Sequence, residues 1–279
     1  MGEAIELETL RAQLGTTLLG RRIEIHRQVG STNDLARQAA KRGEPEGLVV
    51  LAEEQVAGRG RLGRTWVAPP GCCILCSVLL RPRFSPEHAF YLTIAASLAI
   101  YRACKILLGQ RTSYESHTSR NSVLSPQSSV LTIKWPNDVL LNGRKLSGVL
   151  CESEMGGRGW DFCVVGLGIN VNLSVEELGP LQNIATSLSI ELGRYVDRAQ
   201  LLAGVLMELE RIYFSLHNGR HEAVRDEWAD ALETIGKDVS VSEAGGIIEG
   251  QAVRIDHKGA LVIRLASGKE RHIVAGDVS

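Results

Sequence analysis

Apolar positions along the chain switch between two periods, and the switches mark out the elements. Ile5, Leu7, Leu10 and Leu14 recur at helical spacing, whereas Arg22-Ile23-Glu24-Ile25-His26 alternates as a strand. Ser31-Thr32-Asn33-Asp34 carries the polar groups of a helix N-terminus, and Gly43-Glu44-Pro45 stops that helix. Residues 47–53 and 72–80 are continuous apolar runs, which predict buried strands. Between them the Gly/Arg-rich stretch 54–71 has no period, and loops of that length inside a domain are usually functional or disordered. From Pro86 onward Tyr91, Ile94, Leu98, Tyr101 and Leu107 predict a long buried helix with proline in its first turn.

The second half breaks first at residues 109–129, where seven serines and Pro126 replace the apolar pattern and predict a flexible surface insertion. Strands resume at residues 130–134, 139–141 and 146–150, with Asn142-Gly143 as a two-residue hairpin signal, and again at 162–166. Asp197 is placed to cap a helix carrying Leu201, Leu202, Val205, Leu206, Leu209, Ile212 and Tyr213. A second helix runs through Val224, Trp228 and Leu232. Beyond residue 233 short alternating strands, with turns at Lys258-Gly259 and Ser267-Gly268, predict a small antiparallel β-barrel docked on the main domain. The expected division is residues 1–232 and 233–279, with no internal repeat.

Composition narrows the function classes. A chain of 279 residues with 44% hydrophobic and 23% charged residues can bury a large core and is not a disordered or fibrous type. Lysine and arginine (31) nearly balance aspartate and glutamate (32), so no global field would hold nucleic acid or anionic lipid, and anion recognition has to be local. No run approaches the roughly 20 uninterrupted apolar residues of a membrane span, and the acidic N-terminus is unlike a signal peptide; the expectation is a cytoplasmic protein. Six scattered cysteines read as reduced core residues. Cys73-x-x-Cys76 lies within a buried strand without a second pair. His217 and His221 have the spacing of a helical metal pair, but Asn218-Gly219 reads as a helix stop between them.

Gly58-Arg59-Gly60-Arg61-Leu62-Gly63-Arg64 contains G-x-G-x-x-G, yet Arg64-Thr65-Trp66-Val67-Ala68-Pro69-Pro70 does not open the helix a dinucleotide turn requires. Three arginines interleaved with glycines instead form a cationic loop suited to phosphate and carboxylate oxygens, or a plain solvated loop. Lys134-Trp135-Pro136-Asn137-Asp138 sets Asn137 and Asp138 at a strand end, facing a ligand or forming a simple turn. In Arg144-Lys145-Leu146-Ser147-Gly148 alternation leaves Lys145 either beside the same ligand as Lys134 or in solvent. Gly166-Leu167-Gly168-Ile169-Asn170 marks a close approach at a strand end. The phosphate-loop, serine-hydrolase and zinc-protease motifs are absent.

In this order, Ser31-Thr32-Asn33, the Gly-Arg loop, Lys134-Trp135-Pro136-Asn137-Asp138, Arg144-Lys145-Leu146-Ser147-Gly148 and Gly168-Ile169-Asn170 resemble the biotin protein ligases. The resemblance covers the chain from about residue 22 to the end; the 109–129 insertion and Leu62, where a further arginine is frequent, depart from it. It implies an α+β fold: a mixed central β-sheet flanked by helices, of class II synthetase type, with a small C-terminal SH3-like β-barrel. It implies activation of biotin by ATP with Mg²⁺, and transfer to a lysine of a biotin carboxyl carrier protein domain of a carboxylase. Some members add an N-terminal helix-turn-helix, for which the 30 residues before Ser31 are too few, so neither a nucleic-acid nor a membrane partner is expected, and a homodimer is left open.

Carried over by position, the resemblance implies that Ser31, Thr32, Asn33, Gln55, Gly58 and Gly148 form the biotin pocket together with Arg59, Arg61 and Lys145. Arg59, Arg61, Arg64, Trp66, Lys134, Asn137 and Asn170 would hold the nucleotide, with Trp66 over the adenine. Arg59, Lys145 and Asp138 would be catalytic, Asp138 as Mg²⁺ ligand or as base for the acceptor lysine. The alternatives are a lipoate protein ligase, a non-catalytic biotin sensor, and an RNA-binding module using the arginines, the last opposed by the neutral charge balance.

Overall fold

The computed structural model of the chain describes residues 4–115, 129–157, 159–243 and 246–278 and arranges them as two sheets with helices on both faces of the larger one. In chain order the helices are α1 Leu7–Gln13, α2 Thr32–Lys41, α3 Phe90–Glu115, α4 Val175–Leu178, α5 Leu188–Leu192, α6 Arg198–His217 and α7 His221–Asp230. The strands of the larger sheet are β1 Arg22–Val29, β2 Leu48–Gln55, β3 Cys73–Leu80, β4 Leu131–Lys134, β5 Asp138–Leu141, β6 Arg144–Gly156 and β7 Gly159–Asn170. Those of the smaller are β8 Asp238–Glu243, β9 Gly246–Ile255, β10 Leu261–Arg264, β11 Glu270–Ile273 and β12 Asp277–Val278.

The larger sheet has the order β1-β2-β3-β7-β6-β5-β4, parallel only between β1 and β2, which is the mixed α+β sheet expected. One face is dry throughout. Val49, Leu51, Ile74, Val78, Val165 and Ile169 pack against α3 and α6, whose Ile94, Leu98, Leu202 and Leu206 are fully covered. The opposite face is covered in part by α2, whose small residues Ala36, Ala39 and Ala40 let it lie close over Leu48, Val50, Leu79, Phe162 and Val164. Farther along that face no long helix follows among the described residues, and Gly148, Gly166 and Gly168 keep the surface of β6 and β7 flat. That uncovered half positions the site.

The stretch Pro86–Gly109 is long and apolar enough to cross a bilayer by length and composition, but here it forms the buried layer under the sheet. α3 continues to Glu115, so residues 109–115 extend the helix where the insertion was expected to start; residues 116–128 lie outside those described. Asn142 and Gly143 both take positive φ, 52° and 75°, as the tight hairpin turn between β5 and β6 requires. The smaller sheet is antiparallel, in the order β11-β10-β9-β8-β12, and includes a last strand that the apolar pattern missed. Its Val241, Ala252, Leu261 and Ile273 join the same core as the larger sheet. Tyr91 Oη donates to His257 O (2.9 Å), and Trp135 Nε1 to Gly259 O (3.3 Å), fastening the two together.

Candidate active site

The strands deliver their motifs to one end of the sheet. β1, β2 and β7 finish there and β3 and β6 start there, while the turn that joins β4 to β5 at Lys134–Asp138 comes in level with Gly148 of β6 and Gly168 of β7, as the pairings require. A cavity of about 940 Å³ lies over this end, on the uncovered face. It runs from Gln55 on β2 to Asp138 on β5, four interstrand steps or about 19 Å.

At the β1–β2 side the lining is hydroxyl and amide. Ser31 caps α2 in extended conformation without a side-chain capping bond. Thr32 donates from N (2.7 Å) and Oγ1 (3.0 Å) to Gln55 Oε1, which leaves the amide NH₂ of Gln55 as donor. The Ser77 hydroxyl bonds to Thr32 Oγ1 and Asn33 Oδ1 (2.8 and 2.6 Å), and Asn33 Nδ2 donates to Glu152 Oε2 (2.7 Å). Asn33 lines the cavity as well, with both ends of its amide bonded inside the protein, over Gly166.

The Gly-Arg loop folds as a small hairpin. Trp66 N donates to Gly58 O (3.0 Å), Gly60 N to Arg64 O (2.6 Å), and Arg59 bridges to Thr65. A Cβ on Gly58 would sit 2.4 Å from Trp66 O, so glycine there permits this closure; Gly58 itself does not line the cavity, contrary to expectation. The three arginines go separate ways. Arg59 grips Asp34 through two hydrogen bonds (2.6 and 2.8 Å) and reaches Glu152 (3.1 Å). Arg61 turns inward to Asn137 Oδ1 (3.3 Å), and burial pulls its guanidinium below the usual arginine range. Arg64 pairs with Asp277 of the smaller sheet.

Opposite this loop, Lys145 Nζ lies 2.8 Å from Asp138 Oδ2, while Asp138 Oδ1 is buried without a partner. A register shift opposite Val139 and Leu140 bulges β6 at Leu146. Leu146 and Val149 therefore both enter the core, and Lys145 folds over Gly148, 3.3 Å from where a Cβ would be. Lys134 also lines the cavity, with no ion pair among the described residues. Asn137 Nδ2 donates to Val149 O (2.7 Å). Asn170 donates to Thr186 O (3.0 Å) and accepts from Cys73 Sγ (3.6 Å), so its amide is also engaged. Trp66 lays its indole on Gly168, whose missing Cβ would come within 2.7 Å, and Lys145 Nζ is 5.9 Å from the ring centroid. Among the described residues no cluster of three His, Cys, Asp or Glu could enclose a metal. The orphaned Asp138 Oδ1 fits instead a hard cation held chiefly by phosphate oxygens.

Sequence reading missed three contributors. Asp34 and Glu152 hold Arg59; the first carried only a helix N-terminus signal and the second none. The wall from Leu173 to Ala185 had one, the capping box of Ser174 and Glu177 at α4. Ser242, Asp277 and Val278 reach the cavity from the smaller sheet, a contact no local pattern encodes.

Residues 25–170 match the model of the biotin/lipoate A/B protein ligase family, and residues 234–279 that of the biotin protein ligase C-terminal domain. The chain is 36% identical over 279 residues to biotin–[acetyl-CoA-carboxylase] ligase of Mycobacterium tuberculosis, covering 98% of this chain and 95% of the relative. It is 33% identical over 228 residues to the enzyme of the same name from Paracoccus denitrificans, covering 79% and 85%. Among solved structures, biotin protein ligase from Aquifex aeolicus in complex with biotin and ATP superposes with a TM-score of 0.73 at 25% identity, covering 93% of this chain and 98% of that one.

Proposed function

This chain belongs to the biotin/lipoate A/B protein ligase family, and on that footing we propose that it activates biotin with ATP and passes it to a lysine of a carboxylase carrier domain. The observation that carries the reading is the division of one cavity into a neutral hydrogen-bonding side at Ser31, Thr32 and Gln55 and a cationic side at Arg61, Lys134 and Lys145. Biotin has a neutral ureido ring at one end and a carboxylate at the other, and it would lie along that axis.

In the first step a biotin carboxylate oxygen bonds to the α-phosphorus of ATP, and the bond to the β-phosphate oxygen breaks to release pyrophosphate. Two like charges about 4 Å apart repel by roughly 4 kcal/mol at an intermediate effective dielectric. Lys145 and Arg61 offset this from fixed positions as charge moves between carboxylate and phosphate. Asp138 holds the Lys145 ammonium, and its free Oδ1 would take Mg²⁺, which supplies charge neutralisation at the phosphates. In the second step the acceptor lysine, deprotonated to the neutral amine, attacks the acyl carbon, AMP leaves with the bonding pair, and the surplus proton on the new amide nitrogen passes to solvent. The indole of Trp66 and the apolar wall around Leu178 keep water from the mixed anhydride.

The partner is the carrier domain, in keeping with the carboxylase in the relatives' names. The near-zero net charge supports a protein without nucleic-acid or membrane partners. Six free thiols support the reducing cytoplasm. The test is ATP–pyrophosphate exchange by the purified protein with Mg²⁺, comparing biotin, lipoate and no acid. Exchange that requires biotin is the expected result; exchange with lipoate alone, or with neither acid, overturns the reading.

A further inference from the structure

The arginine nearest the hydroxyl end of the cavity has no charge to spare. Arg59 donates to both oxygens of Asp34 on α2 and to Glu152 on β6, and Glu152 also accepts from Arg37 (2.5 Å) and Asn33 (2.7 Å). Two guanidinium groups and two carboxylates sum to zero, and Lys145 is matched by Asp138, which leaves the cavity's surplus positive charge to Arg61 and Lys134. Arg59 also lies at the root of the loop hairpin, next to Gly58, while Arg61 and Arg64 lie beyond it. A root pinned by charge-assisted bonds to two different elements cannot swing as a unit without breaking all of them.

We propose that Asp34 and Glu152 are positioning residues of the reaction: through Arg59 they anchor the root of the loop over the acyl end of the cavity and thereby set how long the adenylate is retained. The inference rests on the ligase reading above for the identity of the ligand. Asp34 stands in the first turn of α2, two residues after Thr32, so the helix turn that presents Ser31 and Thr32 to the acid also fixes the lid above it. Were Arg59 to leave for a substrate phosphate, two carboxylates would be left facing an anionic ligand. Its two carboxylates therefore favour Arg59 staying at the root over its transfer to a ligand.

The variants are Asp34→Asn, Glu152→Gln, their combination, and the exchange Asp34→Arg with Arg59→Asp. Three readouts are needed: biotin-dependent pyrophosphate exchange, escape of labelled adenylate from the protein in a chase, and ligand-free cleavage by trypsin at Arg61 and Arg64. Each single variant is expected to speed adenylate escape and loop cleavage on the order of fivefold, with exchange at saturating substrates within twofold. The double variant should exceed both, and the charge exchange should recover part of the loss. Asp34 is 40% exposed, so Asp34→Asn folds whatever becomes of the double variant, and it decides alone if need be. Wild-type escape and cleavage rates in Asp34→Asn and Glu152→Gln overturn the proposal, as does loss in step with thermal stability and without recovery in the exchange. Absence of biotin-dependent exchange in the wild type, with loop cleavage still responding to Asp34→Asn, overturns the ligand's identity and leaves the anchor standing.

Discussion

The Lys145 ammonium lies 2.8 Å from Asp138 Oδ2 across the β5–β6 pair, and the bulge at Leu146 is what puts it there. Regular alternation would send Lys145 and Gly148, three residues apart, to opposite faces; the extra residue lets both face the cavity.

Lys145→Gln is expected to lower biotin-dependent pyrophosphate exchange by about 10²-fold or more, because the group offsets charge in the transition state. Its effect on folding should stay within about 1 kcal/mol, since the ammonium is 35% exposed and its pairing with Asp138 is screened. Parallel exchange assays and urea unfolding would separate the two; equal falls in both would place Lys145 among structural residues.

Gly168→Ala adds a Cβ 2.7 Å from Trp66 Cε2, so the indole has to move. If that ring stacks on adenine, titration calorimetry should show ATP binding weakened by roughly tenfold while biotin binding changes less than twofold. Equal losses for both ligands would remove Trp66 from the nucleotide.

Acid sensitivity should have a defined source at Glu210. Burial alone would raise its carboxyl, but the backbone N–H groups of Thr17, Leu19 and Leu18 and the Thr17 hydroxyl outweigh burial and hold it below the usual range. A carboxyl lowered by folding stabilises the protein above the unfolded value of about 4.3, and that contribution disappears as pH falls through the lower folded value. Glu210→Gln should therefore cost about 2 kcal/mol at pH 7 in urea unfolding, with the gap to wild type closing below pH ~4. A gap that stays constant with pH would mean that lost packing, not charge, is responsible.

Asp277→Asn cuts the tie between Arg64 and the smaller sheet. Arg64 is 65% exposed, so the melting temperature should move by no more than about 2 °C. Trypsin should nevertheless cut at Arg64 several-fold faster, because the far end of the loop hangs from that pair. Unchanged cleavage would show that the hairpin's own hydrogen bonds suffice.

Much of the architecture was legible because single elements carried their own signals. The Asn142-Gly143 turn, the Asp197 cap and the apolar run of β3 each fix a backbone locally, and the structure has them where the pattern predicts. The cavity lining was legible as an ordered set of motifs delivered to one end of the sheet. What stayed hidden was the use each side chain makes of its bonds. Asn33 and Asn170 look identical in sequence to free ligand amides, yet both already bond at each end to partners more than 15 residues away in the chain: Glu152 and Ser77 for one, Thr186 and Cys73 for the other. Arg59, Arg61 and Arg64 look equivalent in the loop sequence and differ through partners on remote elements: the Asp34 and Glu152 carboxylates for the first, the Asn137 amide for the second and the Asp277 carboxylate for the third.

The glycine floor has a bearing on redesign. A Cβ would come within 2.4 Å of Asn33 at Gly166, 2.7 Å of Trp66 at Gly168 and 3.2 Å of Trp66 at Gly148. No slack is left beneath the ligand, so any attempt to retune which acid the protein accepts has its freedom in the walls. Val67, Leu181 and Ile184 line the cavity while 76%, 47% and 65% exposed, and are free to change size without disturbing a neighbour's seat. A library that varies these three and holds the floor fixed would sample new ligand shapes on an unaltered sheet.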